Sequence, residues 1–159
     1  MKKKVGLAML ITRLNNKGFT LMELLAVIVV LGIIAAIAIP SVLKVIGEMR
    51  DRAFIANAWN MKEAADFYIK EATTSGAGAK ERITYFELVE NGYMGTFNDP
   101  DTDRELVPSD KSYVTLQNNI AIAVCLKGEH RKLCTEEEGV DQAIQYKDLS
   151  PSQIVSNNN

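Results

Sequence analysis

This sequence of 159 residues contains few histidines and cysteines and has no excess of positive charge. Its single histidine cannot build a histidine-based metal cage and makes a Ser-His-Asp triad a poor hypothesis. Its two cysteines are too few for a disulfide-rich scaffold. The 18 basic and 20 acidic residues nearly balance, so the chain is not a basic nucleic-acid coat. These features argue against a soluble enzyme, and the length allows one domain with an appendage.

The charges that are present are unevenly distributed along the chain. Residues 1–18 contain no acidic residue and carry five basic ones, which are Lys2, Lys3, Lys4, Arg13 and Lys17. The other 13 basic residues stand against 20 acidic ones, so residues 19–159 have a formal charge of −7. A basic segment ahead of an apolar run stays in the cytoplasm and directs the far end of the run outward. We therefore expect the part of the chain after the run to lie outside the cytoplasm.

The apolar run extends over residues 19–39 and is interrupted only by Thr20 and Glu23. As a helix it would be about 32 Å long, which is enough to cross the hydrocarbon core of a bilayer. A plain membrane anchor or an uncleaved signal would have the same length. However, the Glu23 carboxylate costs roughly 2.5–3.5 kcal/mol inside a membrane, and Gly32 and Pro40 interrupt an otherwise ideal helix. A plain anchor leaves these residues unexplained.

The segment Gly18-Phe19-Thr20-Leu21-Met22-Glu23-Leu24-Leu25, followed by an apolar run that ends at Pro40, resembles the N-terminus of type IV pilins and pseudopilins. The resemblance is close over residues 17–40 and loose over the layout of the remainder. In this family a prepilin peptidase cleaves after the glycine and methylates the new N-terminal amine. The resemblance therefore implies cleavage between Gly18 and Phe19 and methylation of Phe19. The leader is longer than many in the family, and either Met1 or Met9 could be the start.

The resemblance also gives Glu23 a role that agrees with its chemistry. Cleavage would free a positive amine at Phe19, one helical turn from Glu23, and both charges are costly in an apolar setting. During assembly the carboxylate of one subunit could accept the amine of the next. The alternative is a glutamate that snorkels to the membrane surface. We assign Glu23 to filament assembly, together with Pro40.

A helical pattern continues beyond Pro40. Apolar residues recur at three- and four-residue spacing as far as about Glu71, with charged residues between them. The sequence thus predicts one helix from Phe19 to about Glu71, whose distal half packs against a head domain. The small, flexible residues of segment 73–79 would end it.

The remainder predicts a small head. Thr84 and Glu87 have the spacing of a capping box and predict a short helix over residues 85–90. Residues 113–116 and 120–126 predict two strands joined by Asn118-Asn119. A third strand is expected near 133–135 or 144–146, and the tail over 150–159 is expected to be loose.

We therefore predict an α+β fold with a long N-terminal helix, whose first half spans the membrane, and a small antiparallel sheet packed on its distal half. The expected divisions are a basic leader over 1–18, the long helix over 19–75 with its transmembrane part over 19–39, and the α+β head over 76–159.

Cys125 and Cys134 match neither a CxxC redox pair nor a zinc knuckle. The predicted location outside the cytoplasm permits a disulfide, which would stabilise the head by roughly 2–3 kcal/mol. The resemblance agrees, because pilins often carry one disulfide near the C-terminus. Two buried free thiols are the alternative.

Three aspartates in the head partly match a calcium loop. They are Asp99, Asp101 and Asp103, but Arg104 stands where such a loop needs glycine. Some pseudopilins bind calcium in this part of the head, so calcium is the one candidate cofactor. We prefer a solvated acidic turn with no metal.

The segment over residues 127–132 carries three basic residues. It could contact an anionic surface or DNA, but a solvated hairpin tip facing the acidic residues 136–138 is the better interpretation. Binding of nucleic acid by the subunit alone is therefore not expected.

The leading functional hypothesis is a structural subunit of a type IV pilus, not an enzyme. Its expected partners are copies of itself in a helical polymer, a prepilin peptidase, the inner-membrane assembly machinery and, before assembly, the membrane. The precursor would be a single-pass protein of the cytoplasmic membrane with its head outside, and the assembled form a cell-surface filament. The alternative is a pseudopilin of a type II secretion or competence DNA-uptake machine.

Replacing Gly18 tests the predicted cleavage site. The resemblance implies a peptidase that cleaves after glycine, so Gly18→Ala or a bulkier replacement should leave full-length precursor in the membrane. The mature N-terminus, sequenced by mass spectrometry, is the measurement. Normal processing of the variant would contradict the assignment.

Overall fold

A computed structural model describes residues 20–78 and 80–157. Its elements in chain order are α1 (Leu21–Thr74), β1 (Arg82–Thr84), α2 (Tyr85–Glu90), β2 (Tyr113–Gln117), β3 (Ile120–Lys127), β4 (Arg131–Leu133), β5 (Thr135–Glu137), β6 (Val140–Gln142), β7 (Ile144–Gln145), two 3₁₀ turns (Tyr146–Asp148 and Pro151–Gln153) and β8 (Val155–Ser156). The chain divides between Ser41 and Val42 into two compact units. The α+β layout predicted from the sequence is confirmed.

The first unit contains the apolar beginning of α1. From Leu21 to Ile39 its large apolar side chains are 46–87 % exposed. By length and composition this helix could cross a membrane. Pro40 lies inside the helix, where it cannot donate a backbone hydrogen bond.

In the second unit, the distal part of α1 buries one face. Six of the buried residues are three or four positions apart, which places them on a single stripe of the helix. They are Phe54, Ala58, Met61, Ala65, Ile69 and Ala72, and Ala64 beside them is also buried. Four of the larger side chains of the sheet and α2 are fully buried in the same core, namely Ile83, Tyr85, Val124 and Leu126.

The end of α1 follows from its local sequence. Gly76 has a φ of +72°, a conformation that glycine adopts without steric cost. The amide of Gly76 donates to the carbonyl of Thr73, and the amide of Ala77 donates to that of Ala72. This pattern is a Schellman motif, which satisfies carbonyls that have no partner in the last turn of a helix.

The sheet is antiparallel at every described pairing. Its strand order is β1-β2-β3-β4-β8, with β7 beside β3, and β5 and β6 form a separate two-stranded sheet. The predicted hairpin between β2 and β3 is confirmed. Its two turn residues, Asn118 and Asn119, have φ values of 51° and 60°, as a type I′ turn requires.

The predicted short helix is also confirmed as α2. The Thr84 hydroxyl accepts a hydrogen bond from the amide of Glu87, and the Glu87 carboxylate accepts one from the amide of Thr84. Lys80 forms an ion pair with Glu87. The hydrogen bond from Lys80, followed by that from the Thr84 amide, lowers the pKa of Glu87.

The prediction of a loose tail over residues 150–159 is wrong for its described part, residues 150–157. The Ser150 hydroxyl caps the 3₁₀ turn over Pro151–Gln153, and β8 pairs with β4. Ile154 packs on the core. The polar composition of the tail concealed this structure, because the partner strand lies more than 20 residues earlier in the chain. Strands are present at both sites proposed for the third strand, as β4 and β7.

Candidate functional site

Thr20 and Glu23 form a capping box at the start of α1. The Glu23 Oε2 atom accepts hydrogen bonds from the Thr20 amide and the Thr20 hydroxyl, both at 2.9 Å. The Thr20 Oγ1 atom in turn accepts from the Glu23 amide at 3.3 Å. The spacing T-x-x-E is the same as at Thr84 and Glu87, so the sequence did contain the signal for this contact. It was missed because Glu23 was considered only as a charge.

The capping box changes the interpretation of Glu23. A carboxylate in the first turn is favoured by the helix dipole and satisfies the backbone donors there. Glu23 is therefore held by its own chain, and one of its oxygens already has two donors. The assembly role of Glu23 remains a prediction.

The two residues at the predicted cleavage site, Gly18 and Phe19, lie outside the described residues. Pro40 is placed within α1, and the hydroxyl of the next residue, Ser41, donates to the carbonyl of Ile37 at 3.2 Å. A serine hydroxyl that bonds back to the preceding turn is common where a helix bends. The role of Pro40 in assembly also stays a prediction.

The predicted bond between Cys125 and Cys134 is confirmed. The two Cα atoms are 4.8 Å apart, and both residues are buried. The bond lies next to the β3–β4 pairing, in which Leu126 faces Leu133. It closes a ring of ten residues, and in the chain-entropy model closing such a ring stabilises the head by roughly 2–3 kcal/mol.

The description of the three aspartates as a solvated turn is wrong for two of them. Asp99 is fully buried. Its Oδ1 atom accepts from the amides of Asp101 and Thr102, and its Oδ2 atom accepts from the amide of Glu129 at 2.9 Å. A buried carboxylate needs such donors, because burial without them would cost several kcal/mol.

The side chains of Asp101 and Asp103 are used differently. Asp101 is paired with Arg131, and its side chain is only 9 % exposed. Asp103 is exposed and has a φ of 55°. Within the described ranges, no three His, Cys, Asp or Glu side chains form a group that could hold a metal ion. The arrangement of Asp99 and Asp101 serves hydrogen bonds and ion pairs within the head, and the preference for a loop without calcium stays a prediction.

The basic segment over residues 127–132 is not a solvated tip. Arg131 pairs with Asp51 of α1 and with Asp101, and its side chain is 17 % exposed. Lys127 and Lys132 both pair with Asp141 of β6. The hydrogen bonds from Lys127 and then Lys132 lower the pKa of Asp141, and the bond to Asp101 raises the pKa of Arg131.

Lys132 also reaches Glu136, at 3.0 Å, so part of the predicted contact with the acidic residues 136–138 is present. The basic groups of this segment are thus engaged inside the head, which leaves little free positive charge there for DNA. The sequence could not show this, because the partners Asp51 and Asp101 are distant along the chain.

Together these features describe a chain with an exposed apolar helix, a carboxylate near the start of that helix, and a compact head closed by one disulfide. Such a layout is that of a membrane-anchored protein whose helix needs an apolar partner.

A comparison with protein families indicates the class of protein to which this N-terminus points. Residues 13–39 match the family described as the prokaryotic N-terminal methylation motif. The chain therefore carries the N-terminal signature of type IV prepilins, and this motif supports a pilin-like or pseudopilin precursor. The motif implies a structural subunit that a prepilin peptidase processes and membrane machinery assembles. Neither the curated proteins nor the solved structures gave a match.

Gly128 tests the importance of the buried Asp99. A Cβ atom at Gly128 would lie 2.5 Å from Asp99 Oδ2 and 3.0 Å from the ring of Phe54, both of which are buried. Gly128→Ala should therefore lower the free energy of unfolding by about 1–3 kcal/mol. The fluorescence of the single tryptophan, Trp59, can follow unfolding of the full chain in detergent. Gly95→Ala is the control, because nothing lies within 4 Å of its added Cβ. If the two variants were equally stable, the close contact of a Gly128 side chain with Asp99 would not matter for the stability of the head.

Thr20 tests the capping box. Thr20→Val keeps the shape but removes the hydroxyl, which leaves the Glu23 carboxylate without one of its two donors. We expect fewer filaments or assembled particles at unchanged levels of processed subunit. Thr20→Ser keeps the hydroxyl and should restore assembly. A serine variant as impaired as the valine variant would show that the hydroxyl is not what matters.

Proposed function

We propose that the mature chain is the structural subunit of a type IV pilus, a helical homopolymer held together through its N-terminal helix. The observation that carries this proposal is the position of Glu23. Its carboxylate stands near the start of a helix whose next sixteen residues, 24–39, are uncharged and whose large apolar side chains are exposed. That helix has to be covered by lipid before assembly and by other subunits afterwards.

The proposed assembly step pairs two charges that are both costly in an apolar environment. Cleavage after Gly18 frees the amine of Phe19, and the Glu23 carboxylate of a neighbouring subunit accepts it. The Thr20 donors keep the carboxylate in place and satisfy one of its oxygens before the neighbour arrives. The pair would also fix the axial register between successive subunits, because only one displacement along the helix brings the two charges together.

The proposed orientation in the membrane follows from charge and from the disulfide. The five basic residues of segment 1–18 favour retention of the N-terminus in the cytoplasm. The Cys125–Cys134 bond is stable outside the cytoplasm, where thiols are oxidised. Both support a precursor in the cytoplasmic membrane with its head outside, which prepilin peptidase and the inner-membrane assembly machinery then convert into a cell-surface filament.

We favour a pilus over a pseudopilus because the single disulfide near the C-terminus is a point of resemblance to pilins. The pseudopilin of a secretion or DNA-uptake machine would share the same helix and the same assembly step.

Glu23→Ala tests the proposal. Removing the carboxylate should favour membrane insertion by roughly 2–3 kcal/mol and leave cleavage at Gly18 intact. Surface filaments should be lost or scarce, while processed subunit accumulates in the membrane. Filaments are counted by electron microscopy, and processed subunit is measured in the same cells.

The matched control is Glu48→Ala, which removes an exposed glutamate of the same helix beyond the apolar run. It should leave filament numbers unchanged. Wild-type filament numbers from Glu23→Ala would reduce Glu23 to a snorkelling acid. If the wild-type chain forms no surface filaments but is required for secretion or DNA uptake, the pseudopilin alternative is correct.

A further inference from the structure

The ten residues from Cys125 to Cys134 form a covalently closed hairpin, which we call the disulfide ring. Its strands are the end of β3 and β4, which share only two register pairs, Leu126 with Leu133 and Lys127 with Lys132. The amide of Gly128 donates to the carbonyl of Arg131 across the tip. The disulfide adds a covalent link beside these few hydrogen bonds.

The last residues of the chain are attached to this ring. We call residues 150–157 the C-terminal strap. Within the strap, β8 pairs with β4 through two register pairs. Asn157 then donates from its backbone amide to the carbonyl of His130 and from its side-chain amide to the carbonyl of Gly128, at 2.9 and 2.7 Å. Every one of these contacts is made to a residue of the disulfide ring.

The segment that carries Asp99, Asp101 and Asp103, which we call the acidic loop, is attached to the same ring. The Glu129 amide of the ring donates to the buried Asp99, and Arg131 of the ring pairs with Asp101 and with Asp51 of α1. The strap, the acidic loop and α1 are therefore linked through one short hairpin. Two-residue pairings of this kind are marginal by themselves, because a short strand gains too little to offset the entropy of ordering it.

We propose that the disulfide ring is a redox-controlled clamp for the C-terminal strap. While Cys125 and Cys134 are bonded, β4 is a fixed edge and the strap docks on it. When the two cysteines are reduced, the strap and the acidic loop are released, while β1, β2 and the body of β3 stay folded. The sheet formed by β1, β2 and β3 should persist without the bond, since four of the five register pairs between β2 and β3 lie outside the ring and Val114 and Val124 are buried in the core.

The redox step is an ordinary thiol–disulfide exchange. A dithiol reductant supplies two electrons and two protons, its two sulfurs form a cyclic disulfide, and Cys125 and Cys134 each become a thiol. Both cysteines are buried, so the reductant reaches them only after local opening. Coupling is reciprocal: if the bond holds the strap in place, then docking of the strap must protect the bond.

Hydrogen exchange tests the first direction. The probe is the full chain in detergent, compared with the double variant Cys125→Ala/Cys134→Ala. Exchange at the Asn157 and Glu129 amides should rise about tenfold or more, while amides of β2 and the first half of β3 keep their rates. Unchanged exchange at Asn157 would overturn the proposal. Loss of protection throughout the sheet would overturn it as well, because the bond would then hold the whole head.

The rate of reduction tests the other direction without removing a cysteine. Wild-type chain and Asn157→Ala are exposed to dithiothreitol, and free thiols are trapped by alkylation and counted by mass spectrometry. Asn157→Ala should be reduced several-fold faster, because it loses the side-chain contact to Gly128. Asn60→Ala, an exposed position on α1, is the control and should match wild type. Equal rates in Asn157→Ala and wild type would contradict the coupling.

Discussion

The structure depends on what covers the apolar side chains of α1, which differs between the two ends of the helix. From Phe54 onward the helix has a polar side and one apolar stripe, and the sheet covers that stripe. From Leu21 to Ile39 it is apolar on all sides, and its large side chains are exposed. A helix that is hydrophobic all round needs an apolar surrounding on all sides, which only a bilayer or other apolar helices can supply. The head fixes one part of the helix, and the environment has to provide for the other.

The elements that could be predicted from the sequence are those whose signals are local. The helical periodicity beyond Pro40, the capping box of Thr84 and Glu87, and the paired asparagines at 118 and 119 each depend on residues within a few positions of one another. The disulfide was predicted from the cellular compartment and the family resemblance.

The features that were missed depend on distant residues. The strap pairs with β4 through strands of two or three residues, too short to show an alternating pattern. The buried Asp99 looked like a residue of an exposed turn, because its amide donor at Glu129 is 30 positions away. The capping box of Thr20 and Glu23 is a different case, since its T-x-x-E spacing is local and visible in the sequence.

The internal pairing of the basic residues has a consequence for the proposed polymer of this subunit. Lys127, Arg131 and Lys132 are neutralised by acids of the same head, whereas Glu137 and Glu138 are exposed. Stacking subunits of formal charge −7 would produce a polyanionic fibre, whose heads repel one another over a distance of about 8 Å at physiological ionic strength. The cohesion of the apolar helices has to exceed that repulsion, so the fibre should tighten in high salt and gather into bundles when divalent cations bridge neighbouring strands.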